Sequence, residues 1–165
     1  MKTPTLIFAL LLCGNAALAQ DNTVEQSTET FVSKAATANL FEVEAGKLAL
    51  QRGKDPKAQE FAQQMVTDHQ AAGSKLQEVA TADGVTLPQE LDDEHKKKLD
   101  ALKTASDADF DQAYLSTQLT GHQQTVALFD DYAQHGPKGE VRDTAEALLP
   151  TLRMHLSHIE ELTDK

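Results

Sequence analysis

The sequence predicts an all-α fold: four long helices, with a long helical connector between the second and the third. Three observations predict it. Period-two alternation of apolar and polar residues, the mark of a half-buried strand, is nearly absent. Ala, Leu, Gln, Glu and Lys, all good helix formers, are abundant. Four segments carry apolar residues at alternating spacings of three and four, as the inward seam of a bundle helix requires.

The chain opens with an expected signal peptide over residues 1–19. Lys2 supplies the positive start, Leu6 to Leu12 the apolar run, and Ala17-Leu18-Ala19 a small-x-small cleavage site before Gln20. The run is too short to span a membrane as a stable helix. Lipidation of Cys13 would require a small residue before it, where Leu12 stands, so Cys13 is expected to leave with the signal. Residues 20–29 are polar and read as a disordered leader. The bundle domain is expected over residues 30–165.

The first helix is expected from Thr30 to Arg52, with Phe31, Ala35, Ala38, Glu42, Ala45 and Ala49 along its seam and Gly53 as its stop. Asp55-Pro56, a capping residue followed by proline at the first helical position, starts the second. That helix runs through Ala58, Ala62, Met65, His69, Ala72 and Leu76 to about Ala82, and Gly84 stops it. A connector from Val85 to Ala105 holds a short helical pattern through Leu91, Leu99 and Leu102, long enough to carry the chain from one end of a bundle to the other. Ser106, with Asp109 three residues on, opens the third long helix, whose seam is Leu115, Leu119, His122, Val126, Phe129 and Ala133. The stretch His135 to Gly139 breaks it. The fourth follows from Glu140 through Val141, Ala145, Leu148, Leu152, His155, Ile159 and Leu162, with a kink expected at Pro150. Two long helices, a long connector and two more long helices make a ferritin-like four-helix bundle; a simple up-down bundle with an elaborate middle loop is the competitor.

Composition removes several function classes. After loss of the signal no cysteine remains, which excludes disulfides, thiolate metal ligands and cysteine nucleophiles. Loss of Lys2 takes the formal charge from −11 to −12. No basic face is left for nucleic acid, and an acidic chain is a poor match for an anionic membrane surface. The cluster Lys96-Lys97-Lys98 follows Asp92, Asp93 and Glu94 and reads as a balanced, solvated surface. No integral membrane segment is expected after signal removal. There is no Gly-rich phosphate loop and no nucleophile elbow.

One metal-capable side chain interrupts each apolar seam: Glu42, His69, His122 and His155. Apolar stripes exclude ionisable groups because a buried charge without a partner is costly. Each lies about twelve to sixteen residues into its helix, roughly 18–24 Å along it at 1.5 Å per residue. Mid-helix residues meet at one level whichever way neighbouring helices run. Three imidazoles and a carboxylate form a ligand set for a divalent transition metal such as zinc, copper or iron. Asp68 and His158 are candidates for further ligands or for partners that fix a histidine tautomer. The competing reading is a metal-free polar network that sets helix register. A third is a metal-dependent oxidoreductase using the same residues, which needs an open coordination position. His95 and His135 are expected to be exposed. Tyr114 and Tyr132 are either half-buried bundle residues or redox and hydrogen-bonding groups.

Phe31-Val32, Glu42 through Ala49, Phe61-Ala62 with Met65 through His69, Phe110-Asp111 with Tyr114-Leu115, His122, and Leu149-Pro150 with Leu152 and His155 follow one another in a characteristic order. Together they resemble the domain-of-unknown-function 4142 family over nearly all of the mature chain. The resemblance implies an exported bacterial protein, periplasmic or peripheral to the outer membrane, with a ferritin-like fold and no assigned activity. Di-iron carboxylate bundles carry Glu-x-x-His on two helices. Here Val66 and Leu152 stand three residues before His69 and His155, so a mononuclear, histidine-rich site fits better than a dinuclear one.

Overall fold

The structure is a computed structural model and describes residues 27–164. The expected signal peptide, Cys13 and residues 20–26 of the expected leader lie outside the described residues. Five helices and no strand are found among them. Helix α1 spans Thr28–Arg52 and starts two residues before the expected position, because Ser27 Oγ accepts the Thr30 N–H at 3.2 Å. The last residues assigned to the leader are therefore helical. Helix α2, Pro56–Ala82, is capped by Asp55, whose carboxylate accepts the Lys57 N–H at 2.9 Å. It ends at Gly84, whose φ of +74° lets the Val85 N–H reach the Ala80 carbonyl at 2.8 Å.

The connector folds into α3, Asp93–Thr104. Helix α4 spans Phe110–His135, preceded by a turn in which Ser106 Oγ accepts the Asp109 N–H and donates to its carboxylate at 2.6 Å. Ser106 and Asp109 thus bond reciprocally as expected, one turn ahead of the helix itself. Helix α5, Glu140–Thr163, runs through Pro150 without a break. Pro150 is exposed, so the Glu146 carbonyl that loses its partner faces water.

Each long helix packs against two others: α1 on α2 and α4, α5 on α2 and α4. Helix α3 lies against α1 and α4. The end of α1 meets the beginning of α4 through Arg52. Its guanidinium donates to the carbonyls of Leu102, Lys103 and Ala105 at 2.7–2.9 Å and to Asp107 at 3.0 Å, and lies 4.7 Å over the Phe110 ring. One side chain thus satisfies the last carbonyls of α3 and ties three helices together. From the other side, Asp111 accepts the Lys54 and Asp55 N–H groups at 3.0 and 2.9 Å, fixing the α1–α2 turn. Since α2 ends beside the start of α1 and α4 begins beside its end, the connector traverses the bundle lengthwise. Gly46 lets α1 and α2 approach closely: a Cβ there would lie 2.8 Å from Val66 Cγ2 and 3.1 Å from the Ala62 carbonyl.

The core has two apolar halves. One gathers Phe31, Ala35, Leu76, Val79, Phe129 and Val141, with Phe31 stacked on Tyr132 at 3.9 Å. The other gathers Phe41, Phe61, Met65, Phe110, Tyr114 and Ile159. On α2, α4 and α5 a buried His69, His122 or His155 falls between the residues of one half and those of the other, and on α1 the buried Glu42 follows Phe41 at the edge of the second half. The acid and the histidines form a polar layer across the middle of the bundle.

Replacing Arg52 with Ala is expected to cost about 2–3 kcal/mol, since it strands three carbonyls and removes charge-assisted bonds. Arg52→Lys is expected to recover less than half, because one ammonium cannot span the same acceptors and stack on Phe110. Urea denaturation of the three proteins measures this directly.

Candidate metal centre

His69, His122 and His155 are 4%, 1% and 1% exposed. Their ring centroids form a nearly equilateral triangle with sides of 5.5, 5.6 and 5.7 Å. One nitrogen of each ring lies within 4.8 Å of one nitrogen of each of the others. The helices place them there for the reason the seams implied: each sits on the inward face at mid-length, and the four helices close around that level.

Hydrogen bonds fix the tautomer of each ring. The Nδ1–H of His122 donates to the Gln118 carbonyl, one turn earlier, at 3.0 Å. A carbonyl can only accept, so Nε2 carries the lone pair. His69 Nδ1–H donates to Asn39 Oδ1 on α1 at 3.1 Å, which likewise leaves Nε2 as an acceptor. His155 is reversed: its Nε2–H donates to the Asp68 carboxylate on α2 at 2.8 Å, leaving Nδ1. The nitrogens left over, His69 Nε2, His122 Nε2 and His155 Nδ1, are buried without a hydrogen-bond partner among the described residues. Histidine with one nitrogen anchored to an oxygen and the other free is the arrangement that orients metal ligands.

The dimensions fit an ion. An imidazole bound at about 2.1 Å puts the metal roughly 3.2 Å from the ring centre. The centre of a triangle with 5.5–5.7 Å sides lies about 3.2 Å from each corner, the side divided by √3. Ligation asks for nitrogens about 3.6 Å apart, so a set lying within 4.8 Å has at most about an ångström to close.

Glu42 stands apart from the three. Its Oε1 is 3.9 Å from His122 Nδ1, the nitrogen already committed to Gln118, so it flanks that ring rather than facing the shared centre. Its Oε2 has no partner among the described residues. Asp68 takes the role of tautomer-fixing partner. The His158 ring sits edge-on against Phe61 at 5.3 Å, and its charge acts on His155 one turn before it. His95, expected to be exposed, instead lays its ring 5.4 Å from Phe41 and bonds Asp92 at 2.8 Å, while His135 is exposed as expected. Glu44, two residues from Glu42, is exposed and pairs with Lys47 at 2.8 Å.

Two contributors escaped sequence reasoning. Asn39 lies three residues before Glu42, beside the seam rather than on it, yet it orients His69. Gln118 lies four residues before His122, one turn away on the same face, and is fully buried with both side-chain polar atoms unpartnered among the described residues. That one-turn offset was the available signal.

Burial is the main influence on the ionisable groups. It pulls His69 well below the usual imidazole range, helped by His122 and His155 nearby. It lowers His155 too, with Asp68 opposing. It raises Glu42, against the pull of His122 and the Gln118 amide. Tyr114 is raised by burial and then by Glu42. All four shifts favour neutral groups, and a ligand set of imidazoles requires neutral rings.

These shifts give the metal-free protein a pH signature. Histidines whose folded values are depressed contribute stability that is present above their unfolded value, near 6.5, and lost as the pH falls toward the folded value. Glu42, raised from 4.5, works oppositely: its contribution is present at low pH and is lost as the pH rises through the folded value. With chelator present, stability should drop on acidification below pH 6.5, and Glu42→Gln should make the drop steeper. Urea midpoints across that range test both signs.

Comparison with known proteins gives a family and a fold. The family model described as Domain of unknown function (DUF4142) matches residues 13–162, and the chain belongs to that family. No curated protein matches it. A crystal structure of a DUF305 fragment from Deinococcus radiodurans is similar with a TM-score of 0.70 and 15% identity, covering 81% of this chain and 92% of that one. At that identity the likeness concerns the fold alone. No helix among the described residues is long and apolar enough to cross a membrane.

Proposed function

We propose that this member of the DUF4142 family is an exported, periplasmic, ferritin-like four-helix bundle that binds one divalent transition-metal ion on His69, His122 and His155. Zinc, copper and iron all accept imidazole, and the described residues offer no thiolate to favour a softer ion. The role is metal buffering or envelope stress protection. The ferritin-like part of the reading is supported by the lengthwise connector between the two helix pairs; the exported part rests on the signal-like start of the sequence.

One observation carries the metal. Each of three buried rings that bring a nitrogen within 4.8 Å of one another keeps one nitrogen without a hydrogen-bond partner among the described residues. A protein network that merely set helix register would place donors against acceptors. A water molecule has two protons and can serve two of the three; a cation serves them all.

Elemental analysis after periplasmic expression without chelator is expected to find about one metal ion per chain, as a single three-histidine site implies. His69→Ala and His155→Ala should abolish it. A metal-free protein whose melting temperature ignores added zinc, copper and iron would end this reading. A subtler variant tests the anchoring bonds. A Cβ on Gly73 would come 2.5 Å from Asn39 Nδ2, forcing the amide off His69. Gly73→Ala improves helix propensity by about 1 kcal/mol, so the fold should hold while metal affinity falls about 10–100-fold.

A further inference from the structure

Three histidines leave at least one coordination position unfilled, since Glu42 flanks His122 instead of facing the shared centre. A cavity of about 270 Å³ adjoins the site, and His69, His155 and Glu42 form part of its wall. Ala35, Ala38, Ala72, Phe129, Leu148 and Leu152 give it an apolar stretch, and Asn39, Asp68, Thr125 and Thr151 add polar groups. Lys75, half exposed, marks where it meets solvent. Two of the three free ring nitrogens and the free Glu42 Oε2 therefore belong to residues of this wall, and each of those residues is almost wholly buried.

A divalent ion on three neutral imidazoles keeps its full charge, and the Glu42 carboxyl flanks His122 instead of facing the ion. An anion is the natural complement in such a site. The alanine-rich stretch of wall, however, offers a bulky polar ion few partners beyond the metal and the Thr125 and Thr151 hydroxyls, and the Asp68 carboxylate opposes added negative charge. A single anionic donor on a short apolar body satisfies both surroundings. The space has room for several water molecules, and so for a ligand of a few heavy atoms.

We propose that this cavity takes a small monoanion with a short apolar body, such as a short-chain carboxylate, which completes the coordination of the ion held by His69, His122 and His155. The inference rests on the metal reading above. By linkage the two ligands help each other: the anion tightens metal binding by the same factor as the metal tightens anion binding. A buffering site of this design holds its ion according to the supply of anion.

The test uses the full mature chain loaded with cobalt(II), whose visible absorption reports its coordination. Azide and butyrate are titrated as probes. Both should change the spectrum, and saturating butyrate should raise cobalt affinity at least about tenfold, a linkage of ordinary size. Ala72→Leu and, independently, Leu148→Phe fill the cavity. Each should keep one cobalt per chain with the unperturbed spectrum and lose butyrate affinity about tenfold or more, while azide is affected less. Failure of the wild-type chain to bind cobalt overturns the metal reading and this inference with it. Stoichiometric cobalt that ignores both anions overturns only the inference, as does butyrate binding that both filled variants retain.

Discussion

The structure depends on one constraint: three imidazoles at the centre of the bundle are each bonded on one side, so that only acceptors remain on the other. An unpartnered buried polar atom costs about 1–3 kcal/mol, so the three ring nitrogens together cost about 3–9 kcal/mol. That is comparable to the whole net stability of an ordinary domain, about 5–15 kcal/mol. Further unpartnered atoms on Glu42, Gln118 and Tyr114 lie in or beside the same layer. A layer of this kind is affordable only if the apolar halves on either side are well built, and a bound cation removes the largest part of the deficit.

The anchoring bonds also explain why the site needs this architecture. His69 on α2 is held from α1 by Asn39, and His155 on α5 is held from α2 by Asp68. Only His122 is anchored within its own helix. Two helix interfaces are therefore locked in register by the bonds that aim the rings. The ends of the bundle do the same work at a distance. Arg52 fixes α1 to α3 and α4, and Asp111 fixes the α1–α2 turn to α4. A slip of one turn at either end would separate rings whose centroids now stand 5.5–5.7 Å apart.

Much of this was legible in the sequence because helix seams are periodic. Polar residues inside apolar stripes exposed Glu42, His69, His122 and His155, and all four are buried at one level. Depth along a helix follows from counting; rotation about its axis does not. A small change in rotation separates a ring that faces the centre from a carboxylate that flanks it, and this is where Glu42 parted from the histidines. Asn39 and His158 show the same limit. Asn39 sits off the seam and still reaches His69 across the α1–α2 interface, while His158, one turn beyond His155, turns to Phe61. The start of α1 was misplaced for a different reason: Ser27, a capping residue, sits within a polar stretch where nothing apolar marks the boundary.

The likeness of fold to a DUF305 fragment leaves the chemistry open, so the number of metals must be argued from side chains. In a dinuclear bundle, a carboxylate one turn before each histidine would bridge or flank the second ion. Here the corresponding positions are occupied by packing. Val66 fills the notch left by Gly46, where an added Cβ would approach to 2.8 Å, and Leu152 belongs to the apolar half formed by the start of α1 and the end of α4. Charge argues the same way. Two divalent ions would bring four positive charges into a layer whose ligands are three neutral rings, with Glu42 and Asp68 as the only nearby carboxylates. Asp68 is already engaged with His155, and Glu42 flanks His122 on the side committed to Gln118. One ion with one exogenous anion would leave far less charge uncompensated than two ions, and that balance, more than any resemblance, favours the proposed mononuclear site over a dinuclear one.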